Sequence, residues 1–76
     1  MADGSEVEKQ LFAEECGLIS EQTGLPRMAG RIFGWLIVAE PPYQSVDQIG
    51  KALLASKGSI STSTRLLIQH GLISRT

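Results

Sequence analysis

The chain has 76 residues, which is enough for one small domain and too few for two. Its composition, 42% hydrophobic and 20% charged, is too apolar for a disordered segment, so we expect it to fold. One cysteine and one histidine exclude an internal disulfide and a Cys/His zinc cluster. The sequence has neither the apolar run of a signal peptide nor the roughly 20 apolar residues that span a membrane. We therefore expect a cytoplasmic protein without metal or other cofactor, small enough to need a partner subunit for stability.

The net charge of −1 hides a strong asymmetry along the chain. Residues 1–47 carry eight acidic and three basic side chains, whereas residues 48–76 carry four basic side chains and no acidic one. A segment without carboxylates is typical of a surface that meets a polyanion. Chance in a short chain is the alternative explanation.

Two helices are predicted in the first half. Apolar residues recur at helical intervals over residues 7–19 with acidic residues on the other faces, which indicates an amphipathic helix ending near Thr23-Gly24. Pro26 suits the first turn of a second helix, which runs to Ala39 and carries apolar side chains around most of its circumference. We expect this second helix to be central and buried.

Glycine and arginine residues of the second helix predict how it packs. Gly30 and Gly34 are four residues apart and would let another backbone approach closely. Arg27 and Arg31 are also four apart, and either pair with carboxylates of the first helix or touch a phosphate backbone. We favour the pairing.

Two short helices follow. Glu40-Pro41-Pro42 ends the second helix, because proline disfavours the α conformation in the residue before it. Ser45 and Gln48 form the pattern of a capping box at the start of a third helix. Ser56 can cap a fourth helix running from Lys57 to about His70. Together they make a helix-turn-helix candidate over residues 45–71, with small Gly50 where the two helices would cross.

The fourth helix has two contrasting sides. At about 100° per residue, one arc faces inward and holds Ile60, Ser63, Thr64, Leu67 and Gly71. The opposite side is small, polar or basic, which suits entry into a major groove and donation to base edges and phosphates. The base-edge candidates are Ser61, Thr62 and Arg65, and the phosphate candidates are Ser56, Lys57 and Ser59. A solvated Ser/Thr face on an ordinary helical hairpin is the alternative.

Three stretches carry a family resemblance: Gly-Leu-Pro-Arg at 24–27, Ser-Lys-Gly-Ser-Ile-Ser at 56–61 and Gly-Leu-Ile at 71–73. The chain resembles, over about residues 18–73, the winged helix-turn-helix of MarR-type transcriptional regulators, especially the GbsR-like branch. The resemblance implies a mainly α fold, a four-helix winged helix-turn-helix core with only the first strand of the wing, over residues 72–76. It also implies a single truncated domain over 1–76, and a homodimer that binds double-stranded operator DNA with the helix from Lys57 in the major groove. A small-molecule effector is compatible with it.

Leu54 departs from the family pattern. It occupies a turn position where these motifs often use glycine, and a positive φ there would strain a leucine by about 1 kcal/mol. The basic tip of the wing and the C-terminal dimerisation helices of the family are not among these 76 residues, hence the expectation of a truncated regulator.

A few single residues bear on other possible functions. Cys16 and His70 are expected on separate helices without a third orienting residue, so we expect no enzyme. Cys16 among acidic residues is expected to be structural, and Trp35 in the apolar second helix is expected in the core rather than in a cage with Tyr43. The remaining alternative is a winged-helix module for protein contacts that never meets DNA. Glu14 lies outside the basic segment, so Glu14→Ala is expected to leave DNA binding unchanged.

Overall fold

The computed structural model describes residues 2–39 and 43–73, with side chains from Glu6 onward. These residues form four helices: α1 (Ala2–Gln22), α2 (Arg27–Val38), α3 (Val46–Leu53) and α4 (Lys57–Gln69). The predicted mainly helical fold with four helices is confirmed. Within the described ranges there is no strand. Leu72 and Ile73, where the wing strand was expected to begin, lie in a bend after α4, and residues 74–76 of the expected strand lie outside the described residues.

The helices end where glycine and proline predict. Gly24 follows α1 with a φ of 92°, a left-handed conformation that suits glycine, and Pro26 precedes α2 with a φ of −60°. Ala39 is already extended at the end of α2, consistent with the expected stop. The stop signal itself, Glu40-Pro41-Pro42, lies outside the described residues.

α1 and α2 pack almost backbone to backbone. A Cβ built on Gly30 would collide with the carbonyl oxygen of Cys16 and the hydroxyl of Ser20, and a Cβ on Gly34 would lie 2.8 Å from the Sγ of Cys16. On the α1 side, the contact uses the buried small residues Ala13 and Gly17. The close approach predicted from Gly30 and Gly34 is therefore confirmed.

α2 is the central helix, as predicted. It packs against each of the other three helices. Its Ile32 and Trp35 are buried in a core shared with α3 and α4, whose contribution is Ile49, Leu53, Ile60 and Leu67. The indole Nε1 of Trp35 donates to the Oε1 of Gln44 at 3.4 Å, which gives its polar atom a partner.

α1 differs from α2, since its large apolar side chains point to solvent. Five of them are between 37% and 59% exposed, namely Val7, Leu11, Phe12, Leu18 and Ile19. The face that packs on α2 is instead made of small residues. The regularly spaced apolar residues of α1 thus form a solvent-exposed surface that the other described residues do not cover.

Both arginines of α2 pair with carboxylates of α1, as favoured. Arg27 Nη2 lies 2.9 Å from Glu21 Oε1, and Arg31 Nη2 lies 2.7 Å from Glu14 Oε2. Neither guanidinium is therefore an unpaired candidate for phosphate.

We expect Gly30→Ala to lower the free energy of unfolding by about 2 kcal/mol, because the new methyl group must displace the backbone of α1. Gly58→Ala is the matched control. Nothing lies within 4 Å of a Cβ at this helical position, so the substitution should stabilise α4 by about 0.5–1 kcal/mol. Urea titration followed by the fluorescence of Trp35, the single tryptophan, measures both. Equal stabilities of the two variants would contradict the close packing.

Candidate nucleic-acid interface

The start of α3 is fixed by the predicted capping box. The backbone N–H of Gln48 donates to the Oγ of Ser45 at 3.1 Å, and the backbone N–H of Ser45 donates to the Oε1 of Gln48 at 2.8 Å. Both bonds satisfy donors that a helix start leaves without partners. The first helix of the motif therefore begins at a defined residue.

The turn between α3 and α4 is tight and strained. Leu54 has φ 54° and ψ 48°, the left-handed conformation suspected from the sequence, and its side chain is 93% exposed. The backbone N–H of Ala55 donates to the carbonyl of Gly50 at 3.0 Å, which folds the turn back onto α3. A Cβ on Gly50 would lie 3.0 Å from the carbonyl oxygen of Ala55. The absence of a side chain at Gly50 thus accommodates the turn. The sequence had predicted a close crossing with α4 at this residue instead.

Ser56 caps α4. Its Oγ accepts a hydrogen bond from the backbone N–H of Ser59 at 3.2 Å. In an α-helix the first N–H groups have no partner within the helix, so those of Lys57 and Gly58 remain available at the positive end of the dipole. The sequence-derived phosphate candidates therefore lie together at one helix end.

The exposed side of α4 includes Thr62 and Arg65, two of the three base-edge candidates. We name the exposed residues Gly58, Thr62, Arg65 and Gln69 the α4 outer face. Ser59 and Ser61 lie on its flanks and are half-buried. Ile60, Ser63 and Leu67 are buried on the opposite side, as predicted.

Of the other two residues of the expected inward arc, Gly71 departs from the prediction and Thr64 agrees with it in part. Gly71 is exposed with a φ of 73°, because α4 ends at Gln69 and the helical periodicity no longer applies. Thr64 is half-buried, and its hydroxyl is enclosed with no hydrogen-bond partner among the described residues.

The charge around α4 is positive, with one exception. α4 itself carries no carboxylate, but the Nζ of Lys57 lies 3.5 Å from the Oδ1 of Asp47 at the start of α3. Both side chains are largely exposed, so solvent screens the pair and a phosphate group can compete for the lysine. No pattern in the sequence predicts this contact, because it depends on the path of the turn.

Other candidate sites are less organised. Burial and the neighbouring Glu15 raise the pKa of the Cys16 thiol, which agrees with a structural cysteine. Trp35 is buried whereas Tyr43 is 75% exposed, so they do not form the walls of one exposed cage. Across residues 2–39 and 43–73, no three His, Cys, Asp or Glu side chains are placed to hold a metal ion. None of the helices described is long and apolar enough to cross a membrane.

Comparison with known proteins identifies the family. A model of the MarR family matches residues 23–76, which is more than half of the chain. The chain belongs to the MarR family. It is 46% identical over 72 residues to the HTH-type transcriptional regulator MmpR5 of Mycobacterium tuberculosis, an alignment that covers 95% of this chain and 44% of that protein.

The fold comparison agrees. A crystal structure described as that of a transcriptional regulator superimposes with a TM-score of 0.78 and 45% sequence identity, over 82% of this chain and 42% of that one. The chain thus spans less than half the length of each of these two relatives. The four helices have the winged helix-turn-helix fold of the MarR family.

We expect Leu54→Gly to raise the free energy of unfolding by about 0.5–1 kcal/mol, because glycine adopts the left-handed conformation without a Cβ clash. Leu54→Ala is the control, since it removes the exposed side chain but keeps the Cβ. It should change stability by less than about 0.5 kcal/mol. Urea titration of both variants distinguishes the relief of backbone strain from the loss of the side chain. An equal gain in the free energy of unfolding for the two variants would show that Leu54 is not strained.

Proposed function

We propose that the protein is a DNA-binding transcriptional regulator that places α4 in the major groove of double-stranded operator DNA. The observation that carries this proposal is the α4 outer face, which is exposed, free of carboxylates and flanked by small hydroxyl side chains. Membership of the MarR family and the name of the relative from M. tuberculosis support it.

The roles of the side chains follow from their places on α4. Arg65 and Thr62 are exposed in the middle of the helix, where their donors reach base edges, and Ser61 joins them from the flank. Lys57 and the capped start of the helix, with Ser56 and Ser59, are placed for phosphates. On binding, a phosphate replaces Asp47 as the partner of Lys57.

We propose that the regulator acts as a homodimer. The large apolar side chains exposed along α1 give each molecule a surface whose burial against a second copy is favourable, at about 25 cal/mol per Å². Two α4 helices related by a two-fold axis would then read two halves of a pseudo-palindromic site.

Three further assignments are proposals of the same kind. The first is membership of the GbsR-like branch, which is supported by the resemblance of Gly-Leu-Pro-Arg at 24–27, Ser-Lys-Gly-Ser-Ile-Ser at 56–61 and Gly-Leu-Ile at 71–73. The place of action is the cytoplasm. A small-molecule effector has a candidate place in a cleft of about 250 Å³ between α1 and the end of α3, whose lining includes Val7, Leu11 and Leu54.

A protein-interaction module is the alternative function. The exposed apolar residues of α1 would suit a protein partner as well as a second copy. The salt dependence of the binding affinity distinguishes the two functions. DNA binding that neutralises phosphates weakens steeply as the salt concentration rises, whereas an apolar protein contact does not.

We expect Lys57→Ala and Arg65→Ala each to weaken binding to duplex DNA about tenfold, through loss of a phosphate and a base-edge contact respectively. Lys9→Ala removes the same charge from α1 and serves as the control. The measurement is fluorescence anisotropy with a labelled duplex selected from a random-sequence library. Lys57→Ala should also reduce the slope of log affinity against log salt by about 1. Unchanged affinity in both variants would show that α4 is not the helix that enters the major groove.

Dimerisation has its own test. We expect Ile19→Asp to weaken self-association at least about tenfold in sedimentation velocity, because each copy would bury a carboxylate at the interface. Gln22→Asp adds the same charge at the exposed end of α1 and should have a smaller effect. A wild-type chain that stays monomeric at every concentration would contradict the dimer.

A further inference from the structure

One side chain of α2 connects α1 with the end of α3. The Nη2 of Arg31 donates to the carbonyl oxygen of Leu53 at 2.7 Å, and its Nε donates to Glu14 Oε2 at 2.8 Å. The Arg31 side chain is only 18% exposed, so solvent screens its part-buried bond to Leu53 little, whereas Glu14 is 48% exposed. Beside it, the Nε2 of Gln10 donates to the carbonyl of Ala52 at 3.3 Å.

These hydrogen bonds are made to backbone carbonyl groups at the C-terminal end of α3. The last four carbonyls of a helix have no partner within the helix, and α3 is only eight residues long. Ala52 and Leu53 are its last two residues, and each carbonyl receives a donor from outside α3. The charge of Arg31 also suits the negative end of the helix dipole. The end of α3 is thus held by α1 and α2.

The place where α3 ends fixes where α4 begins. Only Leu54 and Ala55 separate Leu53 from Ser56, the cap of α4, and both are constrained by bonds to the carbonyl of Gly50. A shift of the Leu53 carbonyl is therefore passed to the first turn of α4. That turn carries Lys57 and the other residues assigned above to phosphates.

We propose that Arg31 is a positioning residue for DNA binding: it holds the end of α3 against α1, and so orients the first turn of α4, without touching DNA. This inference rests on the proposed function. It also changes one expectation from the sequence. Glu14 fixes the guanidinium of Arg31, so Glu14→Ala should weaken DNA binding rather than leave it unchanged.

The chain offers a matched control in Arg27. This residue lies one turn earlier on α2 and pairs with Glu21 of α1 at 2.9 Å, so its replacement removes the same charge and a similar ion pair. Among the described residues, none of its bonds reaches α3. Arg27→Gln therefore reports the loss of a positive charge and of an ion pair with α1, without the loss of the anchor on α3.

The first measurement is anisotropy with the duplex chosen by selection, at a temperature where each variant is fully folded. We expect Arg31→Gln to weaken binding about tenfold, as for loss of a charged hydrogen bond, and Arg27→Gln by less than about twofold. Arg31→Lys should lie between them, because one ammonium cannot hold both partners in the geometry of a guanidinium. The salt slope of Arg31→Gln should equal that of the wild type, since no phosphate contact is lost.

The second measurement needs no DNA. Amide hydrogen exchange at Leu54 and Ala55, whose N–H groups bond the Gly50 carbonyl, should be about tenfold faster in Arg31→Gln than in the wild type or Arg27→Gln. Exchange at the buried Leu67 should be equal in all three, which separates local release from a general loss of stability.

The outcomes are distinguishable. Unchanged exchange at Leu54 and Ala55 would show that Arg31 does not anchor the turn. Faster exchange with wild-type affinity would show an anchor that DNA binding does not use, and a reduced salt slope would show a direct phosphate contact. Each of these results overturns this inference alone. A wild-type chain that binds no duplex would overturn the proposed function together with it.

Discussion

The close contact between α1 and α2 is the constraint on which the other features depend. With glycine at positions 30 and 34, no side chain separates the two backbones at those points. The long side chain of Arg31 can then span from Glu14 on α1 to the carbonyl of Leu53 on α3. On other sides of α2, Ile32 and Trp35 enter the core that supports α3 and α4. One helix therefore both builds the core and clamps the helix-turn-helix to α1.

The segment from α3 to α4 combines strong local signals with one strained residue. The capping box at Ser45 and the cap at Ser56 define the starts of α3 and α4. Between them, Leu54 adopts a conformation that costs a leucine about 1 kcal/mol and places its side chain in solvent. Such strain persists only where the surroundings over-determine the backbone. The bonds from Ala55 to Gly50 and from Arg31 to Leu53 supply that constraint on either side of the residue.

Local features and the close pairing of α2 with α1 were predictable from the sequence, whereas the contacts made at the turn between α3 and α4 were not. Helical periodicity correctly separated buried Ile60 and Leu67 from exposed Thr62 and Arg65, because that argument needs only the geometry of one helix. It failed at Gly71, which lies beyond the end of α4. Periodicity also grouped the large apolar residues of α1 without showing that they face solvent. The Lys57–Asp47 and Arg31–Leu53 contacts depend on how the turn is folded, which no spacing in the sequence reveals.

The proposed dimer and the proposed role of Arg31 bear on the same helix. A dimer that reads two half-sites must hold its two α4 helices about 34 Å apart, the length of one turn of DNA. If α1 forms the dimer contact, the position of each α4 relative to that contact passes through Glu14, Arg31 and the end of α3. A change in how α1 packs then alters the separation of the reading helices without altering the residues that meet DNA. The cleft beside this connection, which is lined by both Glu14 and Arg31, lies where a bound molecule would act on it directly.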